Sequence, residues 1–164
     1  MGEDQSVAIT DPLAELVRAH RDIEVRVAQL ETAGRQLRDE AYRAVALSSI
    51  KDVLAFFDGP GATHHADEQD SLFPRLRPVD AFSQMLGAFD VQHQMNDETH
   101  AALRRAVADV GSTQALRSLV GRFVEMNRGH MFAEEQALFP KAAEALSGEA
   151  LAEIAAEMTA RRGG

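Results

Sequence analysis

The chain has 164 residues, 45% hydrophobic and 26% charged, near the globular average and long enough for one domain with a sizeable core. Its formal net charge of −9 argues against a nucleic-acid or anionic-membrane surface, because both recruit clustered Lys and Arg. With no cysteine, disulfides, thiolate zinc sites, iron–sulfur clusters and cysteine nucleophiles are excluded.

Residues 1–10 read as a flexible N-terminus, acidic and without the basic start and apolar run of a secretion signal. No apolar stretch approaches the ~18 residues of a membrane span, so a cytoplasmic protein is expected. Asp11-Pro12 opens the first helix with a capping carboxylate and a proline at the first helical position. Leu13, Leu16, His20, Ile23, Val27, Leu30 and Leu37 then recur at three- and four-residue spacings, predicting a helix to about Leu37. A second helix begins near Asp39 to Tyr42 and carries Val45, Ile50, Val53, Leu54 and Phe57. Gly59-Pro60-Gly61 either kinks it or forms an ordinary loop, since proline removes a helical N–H and crowds the preceding turn. Helix resumes through His64 to Phe73 and is predicted to stop at Pro74.

After a linker over 75–79, a third helix is predicted from Asp80 to about Gly111. Ser112 or Thr113 caps a fourth, which is expected to end at Pro140. Ser147 opens a short fifth helix whose stripe of Ala150, Leu151, Ile154, Ala155 and Met158 either folds back or offers a dimer face. The tail from Arg161 is predicted to fray. The fold class is all-α: an up-down-up-down four-helix bundle over 11–140 with a short additional C-terminal helix and tail over 141–164.

One feature is repeated. The segment from His64 to Pro74 and the segment from His130 to Pro140 both read His-x-x-x-Glu-x-x-x-Leu-Phe-Pro. Residues four apart on a helix lie one above the other, so His64 with Glu68 and His130 with Glu134 each aim an imidazole and a carboxylate at one point. His93 and His130 both lie about 17 residues, roughly 26 Å, from the turn joining their helices. His20 is about 17 residues from its turn, whereas His64 is about 22 to 25 from the start of its helix, an excess that the Gly-Pro-Gly break can absorb. Any one of these histidines alone reads as a packed core residue. Together with Glu68 and Glu134, two carboxylates on core-facing stripes, they point to metal, because unpartnered buried carboxylates are costly.

Imidazole and carboxylate suit iron, manganese or zinc, and two such halves suit two ions about 3.5–4 Å apart. His65 flanks Glu68 on the helical wheel, either as a further ligand or as a polar residue at the site's edge. His100 lies too far along the axis from His93, and Asp97 is a possible substitute ligand or hydrogen-bond acceptor. Asp67, Asp70 and Glu135 read as a solvated face, with a ligand-orienting role as the alternative. Met131 and Phe132 are candidates for a pocket wall.

On His20, His64-x-x-x-Glu68, His93, His130-x-x-x-Glu134 and the Leu-Phe-Pro endings, the chain over about 11 to 140 resembles the hemerythrin-like HHE cation-binding family. The resemblance implies a non-haem di-iron centre with oxo, hydroxo and carboxylate bridges, His20 and His64 on one iron, His93 and His130 on the other, Glu68 and Glu134 bridging. In some relatives the residue after the second-helix histidine, here His65, is also a ligand. Oxygen-carrying hemerythrins have a second histidine where this chain has Asp97, so the resemblance does not extend to reversible O2 carriage. Two six-coordinate ions offer about 12 positions and these donors with a bridging oxygen fill about 10 or 11. That leaves room for O2, peroxide, NO or water. The expected function is a di-iron protein that binds, senses or reacts with a small oxidant, or handles iron, with peroxide breakdown as the enzymatic version. It would be a monomer or a homodimer, and zinc or manganese could substitute for iron. The alternative is a metal-independent helical module for protein interaction or dimerisation.

Overall fold

The computed structural model describes residues 8–163, all helix and connections. The first helix, α1, spans Pro12–Gln36, and the Asp11 side chain accepts from the Ala14 N–H at 3.0 Å, as the Asp-Pro opening predicts. A 3₁₀ turn at Glu40–Tyr42 leads into α2, Arg43–Asp58. Helix resumes at once as α3, Pro60–Ala66, with the Thr63 N–H reaching Gly59 O at 3.0 Å, so Gly-Pro-Gly is a kink and not a loop. Gly61 is required there: a Cβ would sit 2.9 Å from the Phe57 ring.

A π-helical turn, Asp67–Leu72, follows, then α4, Phe73–Leu76. Beyond a second 3₁₀ turn, Asp80–Phe82, come α5, Ser83–Ala108, and α6, Thr113–Ala133, the latter capped by Ser112. A second π turn, Glu134–Leu138, precedes α7, Phe139–Ala145, and α8, Gly148–Gly163, completes the described chain. Each long helix buries one stripe and packs on two neighbours, α1 on α2 and α6, α5 on α2 and α6. That closes the up-down-up-down ring.

Three expectations fail here. Pro74 and Pro140 do not stop their helices, which run on to Leu76 and Ala145. In each copy the phenylalanine N–H of Leu-Phe-Pro reaches back five residues, Phe73 to Glu68 O and Phe139 to Glu134 O. This wider turn moves aside the carbonyl that a proline ring would otherwise strike. Nor does the tail fray. Helix continues to Gly163, and Arg161 and Arg162 both bind the carboxylate of Asp67, which is fully buried and not on a solvated face. Arg161 also donates to Ser71 Oγ at 3.0 Å. The flexible N-terminus expected over 1–10 lies outside the described residues as far as residue 7. Beyond it, the Ile9 N–H donates to Thr159 Oγ1 at 3.0 Å.

The α8 stripe folds back: Ile154, Ala155 and Met158 are buried against α1 and the first π turn. The core is split in two. One cluster holds Ile23, Val27, Leu30, Ile50, Val53, Phe57, Leu103 and Phe123, the other Leu16, Leu72, Phe73, Phe89, Leu138, Phe139 and Met158. His20 lies between Leu16 of one and Ile23 of the other, and this is the level of the polar centre.

Removing both partners of a buried carboxylate leaves an uncompensated charge, a loss of about 3–5 kcal/mol. Changing Arg161 and Arg162 together to Ala should therefore lower unfolding free energy by about that much in urea denaturation, whereas Asp67→Asn, which keeps an acceptor beside arginines that reach solvent, should lower it by less.

Candidate metal centre

Four buried histidines come from four rods: His20 on α1, His64 on α3, His93 on α5 and His130 on α6. Between them stand Glu68 and Glu134, each the second or first residue of a π turn and each with no exposed surface. Glu68 Oε1 is 3.0 Å from His64 Nε2, and its Oε2 is 3.2 Å from His93 Nε2. Glu134 Oε2 is 3.2 Å from His20 Nε2, and its Oε1 is 3.2 Å from His130 Nε2. Each carboxylate thus points one oxygen into each half of the site.

Two groups of four ligand atoms result, His20, His64, Glu68 and Glu134, then Glu68, His93, His130 and Glu134, each within 4.8 Å. His65 forms a third group with His93 and His130, its ring centroid 4.6 Å from that of His93. Asp97 is exposed on the outer wall of a cleft that His65 and His93 also line, and belongs to none of these groups. His100 sits apart, its Nε2 3.4 Å from Leu54 O and 3.6 Å from Asp58. Asp70 is exposed. Phe132 is 68% exposed, while Met131 is buried in the cluster around Phe123.

The ring nitrogens away from the centre show how the imidazoles are held. His20 Nδ1–H donates to Glu135 Oε1 at 2.9 Å, and Arg21 donates to the other Glu135 oxygen at 2.9 Å. His130 Nδ1–H donates to Gln92 Oε1 at 2.9 Å. Gln69 differs: its Nε2–H donates to His93 Nδ1 at 2.6 Å, which leaves the His93 proton on Nε2, 3.0 Å from His130 Nε2. For His20 and His130 these bonds leave the Nε2 lone pair facing inward, the tautomer a metal needs. Gln92 and Gln69 were invisible to spacing arguments. A signal existed, since Gln69 follows Glu68 as Glu135 follows Glu134. A reciprocal amide pair, Asn127 Nδ2 to Asn96 Oδ1 at 3.0 Å, lies one turn from His93 and His130 and was equally missed.

Does this donor set suit a cation? Among the described residues, all four oxygens of Glu68 and Glu134, His20 Nε2 and both nitrogens of His64 are buried without a hydrogen-bond partner. Burial, and then the charge of Glu68, push the Glu134 carboxyl well above the carboxylate range. Burial also works upward on Glu68, but His64, His93 and His130 outweigh it and hold Glu68 well below that range. Burial pushes His65 down to about 4 and His130 down to about 3, so both are neutral donors at neutral pH. Cations there would partner the four carboxylate oxygens, His20 Nε2 and His64 Nε2. The residues fit.

The model of the Hemerythrin HHE cation binding domain matches residues 11–158, and the chain belongs to that family. The match extends into α8, past the 140 reached by the motifs. The chain is also similar to an uncharacterized protein of Haemophilus influenzae, 28% identical over 156 residues, 93% of this chain and 90% of that protein. No helix among the described residues is long and apolar enough to cross a membrane.

A pH dependence follows for the metal-free protein. His65 and His130 have folded values below the ordinary 6.5, so the unfolded chain takes up protons first as pH falls. Stability should therefore decline from about pH 6.5 through 4, read as a falling melting temperature. Saturating metal should raise the whole curve and carry the decline to lower pH, because a bound cation keeps the native histidines unprotonated while the unfolded chain still takes up protons.

Proposed function

We propose that this protein is a non-haem di-iron protein that binds, senses or reacts with a small oxidant such as O2, peroxide or NO, or handles iron. The observation that carries this reading is the sharing of Glu68 and Glu134 between two four-residue groups of nitrogen and oxygen donors. A single-ion site needs one such group; carboxylates with one oxygen in each half suit two ions. His20, His64, His93 and His130, with His65 on the second half, are the proposed ligands. Iron in such a donor set supplies one-electron redox chemistry and an open coordination position for a small ligand.

The chain's own residues do the rest. Gln92 and Glu135 keep two imidazoles in the ligating tautomer, and Phe139 stacks on His20 at a centroid distance of 5.5 Å, excluding water from that ring. Clefts of about 320 Å³, lined by His93, His130, Gln92, Met126 and Gly129, and about 390 Å³, lined in part by His64, bring solvent up to both halves and give a small ligand a way in. Asp97, exposed and outside the ligand groups, supports oxidant reaction or sensing over reversible O2 carriage. Zinc or manganese are alternative occupants. A monomer in the cytoplasm is the reading in keeping with the net charge of −9 and with an α8 stripe already buried in its own bundle.

Purified protein should contain two iron ions per chain and absorb in the near ultraviolet, with the band changing on peroxide addition. The paired change His64→Ala and His130→Ala should abolish the band and most of the metal. Full iron content in that variant would refute the assignment. Metal that binds only the native state should also raise the melting temperature, by about 2.7 kcal/mol of added stability at 100-fold excess over Kd.

A further inference from the structure

The two halves of the centre are built from one repeated motif, yet they are backed by different charges. The residue directly after each shared glutamate reaches across the bundle to the unpaired histidine of the opposite repeat. Glu135, after Glu134, accepts from His20 Nδ1 on α1 at 2.9 Å. Gln69, after Glu68, donates from its Nε2 to His93 Nδ1 on α5 at 2.6 Å. The topological position is the same, but one partner is a carboxylate that accepts from its imidazole and the other a neutral amide that donates to it.

The remaining contacts sharpen the contrast. His130 on the second half is also held by an amide, Gln92, at 2.9 Å. Gln69 touches Asp90 at 3.3 Å, but Asp90 is chelated by Arg77 at 2.9 and 3.0 Å and does not reach His93. Arg21 pairs with the outer oxygen of Glu135, but its side chain is 67% exposed and screened by water, while the inner oxygen faces a buried imidazole. A carboxylate on the far nitrogen raises the basicity of a ligating imidazole, and loss of such a partner typically costs 10–100-fold in metal affinity.

We propose that Glu135 makes the two metal positions electronically unequal: through His20 it adds negative charge to the His20/His64 half alone, while Gln69 and Gln92 leave the His93/His130 half neutral-backed. Glu135 is a positioning residue that touches no metal. This rests on the metal-centre reading above, and it goes beyond it by assigning a different donor strength to each half.

The test is stepwise Zn2+ titration by calorimetry on the full-length protein, with iron midpoint potentials as the second readout. Wild type should show two resolvable steps. Glu135→Gln should weaken one step about 10–100-fold, leave the other within a few-fold, and raise one of two iron potentials. Gln69→Glu should strengthen the step that Glu135→Gln leaves alone. The double exchange Glu135→Gln with Gln69→Glu keeps the protein's net charge, so a fold-wide electrostatic effect would cancel in it. A local one would narrow or reverse the gap between steps. Far-ultraviolet circular dichroism of each metal-free variant should match wild type. Equal shifts of both steps in Glu135→Gln, no shift in either, or Gln69→Glu acting on the same step as Glu135→Gln would overturn the proposal. Wild type binding neither Zn2+ nor iron would instead remove the metal-centre reading, and this inference with it.

Discussion

Two carboxylates with no exposed surface face each other at the middle of the bundle, and among the described residues none of their four oxygens has a hydrogen-bond partner. Charge in that position is costly enough that the structure must supply a partner, a proton on one acid or a cation between them. Everything else at this level is arranged around that demand. Four imidazole nitrogens approach the same oxygens to within 3.2 Å, and burial keeps His65 and His130 neutral, with lone pairs to give. The flanking apolar clusters hold the rods together on either side, so the polar layer can be tuned for binding without also carrying the stability of the fold.

The π turns connect this layer to its surroundings. In an uninterrupted α-helix, the residues following His-x-x-x-Glu would rotate steadily away from the centre. The wider turn starting near each glutamate brings Leu72, Phe73, Leu138 and Phe139 back to the inner face, where they build the cluster just beyond the level of the two glutamates. One helix thereby serves the site and the core. The following proline fits because the turn has already displaced the carbonyl it would strike.

Membership in the hemerythrin HHE family accounts for the common plan, and the particular features of this chain lie in what surrounds it. The last helix is not an appendage. Its arginines neutralise Asp67, the neighbour of Glu68, and Arg75 in turn pairs with Glu157 at 2.7 Å and Glu153 at 3.2 Å. The segment that carries Glu68 is therefore tied to α8.

By itself the sequence determined the helix order, the capped starts at Asp11 and Ser112, and the six residues His20, His64, Glu68, His93, His130 and Glu134. These follow from periodicity, caps and a duplicated motif, all of them local signals read over one to three turns. Only the tertiary structure decided that prolines 74 and 140 lie inside continuing helices, that Asp67 is buried against Arg161 and Arg162, and that Glu135, Gln69 and Gln92 hold the imidazoles. Those outcomes depend on partners from 24 to 115 residues away in the chain, or on a change of helical pitch, and on which surface faces another rod. A carboxylate on a helical wheel looks the same whether it meets water or an arginine from a distant helix, and packing alone distinguishes the two.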